Sequence, residues 1–278
     1  MTLRLPPLLI LAAAARAASP SEGLSSRWLT PPIPVAEVRA AGWREVRFEV
    51  DGRGRPWVLH DRSELVCPTE KASLRLVTEA DGFAYAGNPS PLLSAGGYLG
   101  TVPPVAMVRS DADGIPVLPF KPVRRMPRPE CSISSGAGGV LYALCGGELF
   151  RLRRSGQGAS KTRFEPVLAA PEPVSAAAGD GREEFVALGA VVLRLSGGKA
   201  VPLFRHPSAR IRDLAYAPGV GLFYATDDEA GFWDGARARA LRKVAKPRVR
   251  VHDGALFVFS EEDFGVLRLE GLDSLKTP

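Results

Sequence analysis

Ile133-Ser134-Ser135-Gly136-Ala137-Gly138-Gly139-Val140-Leu141-Tyr142-Ala143-Leu144 is a strand, a glycine turn and a second strand. Gly138-Gly139 supplies the backbone freedom that a tight reversal needs. Leu141 to Leu144 is apolar at every position, as expected of a strand covered on both faces. A third strand, Glu148 to Leu152, and a fourth, Phe164 to Leu168, follow. The unit recurs outward in both directions. Phe48 to Gly54 leads into Trp57-Val58-Leu59, Leu92 to Gly97 into Tyr98-Leu99, and Val174 to Gly181 into Phe185 to Leu188. Leu214 to Gly221 leads into Leu222-Phe223-Tyr224, and Val249 to Gly254 into Leu256 to Phe259. Six copies result, with turn glycines near 54, 97, 139, 181, 221 and 254.

A four-stranded unit with two apolar faces cannot bury both alone, so copies stack radially around an axis. The spacing of about forty residues suits a propeller blade better than the shorter repeat of a horseshoe or a helical solenoid. The fold predicted is all-β, a six-bladed β-propeller of four-stranded antiparallel blades. The 25 prolines, spread along the chain, leave few stretches long enough for helices.

Val50-Asp51-Gly52-Arg53-Gly54-Arg55-Pro56-Trp57-Val58, and Gly138 to Ala143 with Glu148 to Leu152, resemble blades of the six-bladed bacterial propellers of the NHL-like and periplasmic quinoprotein-like or regulator type. The resemblance covers roughly residues 43–272, through degenerate motifs. It implies a fold and leaves the activity open. No Gly-His pair of the WD40 kind is present, a Trp-Asp pair occurs once, at Trp233-Asp234, without repeating from copy to copy, and the Gly-Gly pairs are not placed as in kelch repeats. Ring closure needs a last strand beyond Leu269. Either Leu272 to Leu275 supplies it, or Ile33 to Val38 from the lead-in, which the reading favours; otherwise residues 19–40 are only an extended lead-in. Residues 41–278 are expected to form a single propeller domain.

Residues 1–18 have the layout of a secretory signal peptide: Met1 and Arg4, the apolar run Leu5 to Ala15, then the small-residue stretch to Ala18. The run is too short for a bilayer span, so a soluble mature chain, periplasmic or secreted, is expected. Export lets disulfides persist. Cys131 and Cys145 flank the glycine turn and would face each other across a hairpin, leaving Cys67 unpaired; the alternative is three reduced, buried thiols.

The formal charge of +6 comes from 36 Lys+Arg against 30 Asp+Glu, without the aromatic and basic clustering of a nucleic-acid surface. No nucleic-acid partner is expected. Nor does the sequence contain a Gly-x-Ser-x-Gly elbow, a phosphate loop or a dinucleotide fingerprint. His60 and His252 each precede an Asp, but blade topology sends their turns to opposite faces; with His206 they are expected at the surface or core edge. Asp227-Asp228-Glu229 and Glu261-Glu262-Asp263 follow second strands and are expected to cap turns. Asp111-Ala112-Asp113-Gly114 lacks the closing Glu of a calcium loop. A lactonase of the gluconolactonase type would hold a divalent ion through carboxylate and Asn oxygens, yet Asn88 is the only Asn. No metal site, cofactor or catalytic residue is therefore assigned.

A face remains. The loops entering the innermost strands ring one channel mouth and carry Trp43, Arg44, Arg128, Arg210, Arg212, Asp213 and Arg248. Guanidinium forks around a concave mouth suit an anionic or extended ligand, although Arg–Glu pairs that only solvate the loops are the alternative. The expectation is a monomeric binding or assembly module of the cell envelope, engaging a protein or an anionic ligand; a metal-dependent, lactonase-like hydrolase is the second reading.

Overall fold

A computed structural model describes residues 23–42, 46–70, 72–85, 91–101, 109–110, 116–154 and 162–276. The chain forms six sheets around a channel. It enters through β1 (Ser25–Thr30) and the short helix α1 (Val35–Ala41), which ends on Gly42 at φ 74°. Blade 1 follows as β2 (Arg47–Val50), β3 (Pro56–His60), β4 (Glu64–Cys67) and β5 (Ala72–Leu76). Blade 2 begins with β6 (Gly82–Ala84), β7 (Leu92–Ala95) and β8 (Tyr98–Thr101). The hairpin β9 (Arg109–Ser110) and β10 (Pro116–Leu118) then crosses back to pair with β5 in parallel, so the first sheet has six strands. β11 (Lys121–Arg125) completes blade 2 beside β8.

The other blades are regular meanders. Blade 3 is β12 (Ser132–Ser135), β13 (Leu141–Cys145), β14 (Glu148–Arg154) and β15 (Thr162–Ala169). Blade 4 is β16 (Val174–Gly179), β17 (Glu184–Leu188), β18 (Val191–Ser196) and β19 (Lys199–Arg205). Blade 5 is β20 (Asp213–Ala217), β21 (Gly221–Ala225), β22 (Glu229–Trp233) and β23 (Ala238–Lys243). In blade 6, β24 (Pro247–His252), β25 (Ala255–Ser260) and β26 (Val266–Glu270) take β1 as their outermost strand. The ring is therefore closed by the amino-terminal segment.

Six core clusters fill the six blade interfaces. Phe48, Val50 and Val58 of blade 1 meet Phe257, Phe259 and Val266 of blade 6, with the Phe48 and Phe259 rings stacked at 5.2 Å. Phe223 and Phe232 of blade 5 pack against Val249, Leu256 and Leu267 of blade 6. β3, β20 and β25 are buried along their whole length, as a strand between two neighbouring blades must be.

Two details differ from the sequence reading. In the second copy, Leu92 to Gly97 and Tyr98-Leu99 are the second and third strands, and the innermost strand is β6. A Gly-Gly turn reads alike at any reversal in a meander, and β6 has only three residues. Ile33 to Val38 is not the closing strand. That role falls to β1, whose Ser26 and Trp28 pair with Leu269 and Leu267. Pro34 opens a helix rich in Ala, Glu and Arg instead. Leu272–Leu275 is a 3-10 turn that buries both leucines against the blade 5–blade 6 core.

Cys131 and Cys145 form a disulfide across the β12–β13 hairpin, next to the paired residues Ser132 and Leu144, with Cα atoms 4.3 Å apart. Cys67 is free and buried. Among the described residues, no helix is long and apolar enough to cross a membrane.

Candidate functional site

The period of two in the innermost strands separates core from channel. Phe48 and Val50 pack between blades, which turns Arg47 and Glu49 to the channel. Val249 packs in the blade 5–blade 6 core, which turns Arg248 and Arg250 the other way. Leu214 packs between blades 4 and 5, and Asp213 faces the axis.

These side chains meet midway along the channel. Arg250 Nε donates to Glu49 Oε1 at 2.8 Å, and Nη1 donates to Asp213 Oδ2 at 2.7 Å and to the Val249 carbonyl at 2.6 Å. Glu49 Oε2 accepts from Ser135 Oγ at 2.9 Å. Asp213 Oδ1 accepts from the Leu214 N–H at 3.0 Å and Oδ2 from the Val249 N–H at 3.1 Å. Glu49 and Asp213 are 2% and 5% exposed, so each depends on these partners for charge compensation. Burial pushes the Glu49 carboxyl above the ordinary range, against the opposing pull of Arg250 and Ser135. Burial opposes the Arg250 charge, but Asp213 and Glu49 more than offset it, and the guanidinium stays protonated. Arg250 borders cavities on both sides, so the cluster divides the channel.

On the side of the loops entering the innermost strands lies a cavity of about 360 Å³. It is lined by Arg47, Arg210, Arg212, Arg248 and Arg250, by Asp213 and Asp227, and by Ser132, Ser134 and Ser175 among others. Glu261 holds two of the arginines: Arg212 Nη2 lies 2.8 Å from Oε2, and Arg248 Nε 2.5 Å from Oε1. Arg248 Nη1 also donates to the Arg212 carbonyl at 3.2 Å. Arg212 Nε reaches the exposed Asp227 at 3.2 Å. Arg212 Nη1 is buried and hydrogen-bonds nothing among the described residues. Arg210 is exposed, with no acidic partner among the described residues.

Arg210, Arg212, Asp213 and Arg248 thus come together at one mouth. Arg128 does not join them: it pairs with Glu148 at the start of β14, away from the cavity lining. Trp43 and Arg44 lie outside the described residues, as do Asn88 and Asp111 to Gly114. The sequence reading missed Arg47, Glu49, Asp227, Arg250 and Glu261. The signal for the first two and for Arg250 was a charge alternating with core residues in an innermost strand. Glu261 belongs to a turn between second and third strands, which emerges on the same face as the loops entering the innermost strands. It ties two arginines together as well as ending a strand.

The opposite cavity, about 280 Å³, is lined by Glu49, Asp51, Tyr85, Ser135, Tyr216, Arg250, His252 and the Gly136 to Gly139 turn. His252 is here. His60 is buried at the β3–β4 turn beside Asp61, and His206 is buried against Glu229, Nε2 to Oε1 at 3.3 Å. The three histidines share no site.

The divalent ion of a lactonase finds no donor set among the described residues. Among the described residues no three His, Cys, Asp or Glu side chains converge, and the two carboxylates at the axis close on Arg250.

No family model matches the chain, and no curated protein does. Solved structures are similar in fold. The PQQ-bound aldose sugar dehydrogenase of Streptomyces coelicolor has 13% identity and a TM-score of 0.58, over 91% of this chain and 99% of that one. A gluconolactonase of Xanthomonas campestris has 11% identity and a TM-score of 0.58, over 92% of each chain. A luciferin-regenerating enzyme has 12% identity and a TM-score of 0.57, over 81% of this chain and 90% of that one. These similar proteins are named as enzymes, which overturns the expectation of a binding or assembly module. At such identities the likeness establishes the architecture: the chain is a six-bladed β-propeller of no specific family.

Proposed function

We propose that the chain is an exported hydrolase acting on a lactone or ester of a small sugar-derived acid, bound at the arginine-lined mouth. The observation carrying this reading is the convergence of five arginines and two aspartates on one cavity that ends at Arg250. Its volume is at the small end of ligand pockets, in keeping with a substrate of sugar size. Acyl hydrolysis develops negative charge on the carbonyl oxygen, and preorganised donors stabilise it. Arg212 and Arg248 are preorganised by Glu261, and their guanidinium groups, which line the cavity, are the donors for that oxygen. Asp227, beside Arg212 at the rim, accepts the proton of the attacking water. Arg210, with no acidic partner among the described residues, holds a carboxylate elsewhere on the substrate.

The disulfide supports residence in an oxidising compartment. With the leader-like residues 1–18 it supports the periplasm or the exterior as the site of action. The chain acts as a single propeller domain over residues 41–278, with residues 25–30 completing its ring, and as a monomer. The test is initial-rate hydrolysis of a panel of neutral and carboxylate-bearing lactones and esters. Arg212→Ala is expected to lower kcat by about a hundredfold, the usual effect of losing one oxyanion donor. Turnover unaffected by Arg212→Ala, or none by the wild type on the whole panel, would overturn the reading.

A further inference from the structure

The middle of the channel has the anionic half of a cation site, already filled. Glu49 Oε1 and Asp213 Oδ2 converge on neighbouring nitrogens of one planar guanidinium, at 2.8 and 2.7 Å. Ser135 Oγ lies on the other oxygen of Glu49. Two buried carboxylates on one centre repel each other unless a cation stands between them. Here the cation is covalently attached to β24 and cannot dissociate.

We infer that Arg250 is the resident cation of this propeller, filling the place between Glu49 and Asp213 that a divalent ion would otherwise take. Three features favour this over an incidental ion pair. Both carboxylates remain anchored without Arg250: Glu49 by Ser135, Asp213 by the N–H groups of Leu214 and Val249. The guanidinium spends Nε and Nη1 on the protein, while Nη2 has no acceptor among the described residues. Arg250 also borders the mouth cavity, so its positive charge reaches a ligand there. The fixed guanidinium therefore does two things that a bound ion would do: it neutralises the axial carboxylates and polarises an oxygen of the ligand. The pairing of Arg250 with the axial carboxylates is independent of the reaction at the mouth, while its action on a ligand rests on the proposed function.

Removing the guanidinium should convert the cluster into a divalent-cation site of carboxylate, hydroxyl and water oxygens, a donor set suited to Ca²⁺ or Mn²⁺. Wild type and Arg250→Ala, both stripped with chelator, are titrated with Ca²⁺ and Mn²⁺ by calorimetry, with thermal unfolding in parallel. The wild type is expected to bind neither ion at the axis. Arg250→Ala is expected to bind one equivalent, with Tm rising about 5–10 °C at a hundredfold excess over Kd. Guanidinium ion at low millimolar concentration should compete for the same place. Adding Asp213→Asn to Arg250→Ala should abolish the binding, and Arg250→Lys, which keeps the charge, should bind no metal. If Arg250→Ala does not fold alone, refolding with Ca²⁺ or guanidinium ion should recover the β-sheet circular dichroism. One equivalent of metal on the wild type that Asp213→Asn removes would overturn the inference. So would an Arg250→Ala chain that neither Ca²⁺, Mn²⁺ nor guanidinium ion stabilises or refolds.

Discussion

Reducing the Cys131–Cys145 disulfide should destabilise the propeller by an amount that its geometry sets. The bridge joins residues 14 apart in sequence. In the chain-entropy account, opening a loop of that size costs about 3 kcal/mol. Both sulfurs lie in the blade 2–blade 3 core with Leu99, Met126, Ile133 and Leu141, so little water reaches the thiols and the loss stays close to the entropic figure. For a domain of this size it corresponds to a fall in Tm of about 6–12 °C. Thermal and urea unfolding of the oxidised chain are compared with those of the chain after denaturing reduction and refolding under reductant. Thiol titration in denaturant must show free cysteines rising from one, Cys67, to three. A reduced chain with full thiol count and unchanged Tm would refute the reasoning, and would leave export without its support from the disulfide.

Further outcomes follow from the axial and turn carboxylates. Asp51 accepts from the N–H groups of Arg53 and Arg55, from Arg55 Nε at 2.7 Å and from Trp57 Nε1 at 3.1 Å. Burial opposes its charge, but these donors prevail and hold its carboxyl below the ordinary value of 3.8. Its contribution is thus present above that value and lost as pH falls through the lower folded pKa. Asp51→Asn, which faces Arg55 and Trp57 with a donor, should cost about 1.5–3 kcal/mol in urea unfolding at pH 7, with the deficit shrinking in strong acid; equal stability at pH 7 would refute this. Glu49 has the opposite sign: raised by burial above 4.5, its contribution is full below that value and lost as pH rises through the folded pKa. Unfolding free energies measured from pH 4 upward should show that decline in the wild type and not in Glu49→Gln; parallel curves would contradict it.

The fold was legible because turn glycines and doubly apolar strands are local signals. Gly138 and Gly139 take φ values of 64° and 78° in their turn, and the six copies found there correspond to the six blades. What escaped the reading depends on contacts far apart in sequence. β1 pairs with β26 across nearly the whole chain, and nothing in Ser25 to Thr30 alone separates it from Ile33 to Val38. The β9–β10 excursion onto blade 1 is likewise set by its partner strand. Part of the mouth was readable from the segments that enter the innermost strands: Arg210 and Arg212 before β20, and Asp213 and Arg248 at the starts of β20 and β24. Arg47 and Arg250 were not, because their direction is known only once Phe48 and Val249 are seen to take the core side of their strands.

The most direct test is where a ligand settles. Crystals of the mature chain soaked with a carboxylate-bearing sugar lactone, or with the acid formed by its hydrolysis, should show the molecule against Arg210, Arg212 and Arg248, with the axial guanidinium of Arg250 as the floor. Density instead beside Tyr85, Tyr216 and His252 at the far mouth, or a mouth left empty at saturating ligand, would contradict the account.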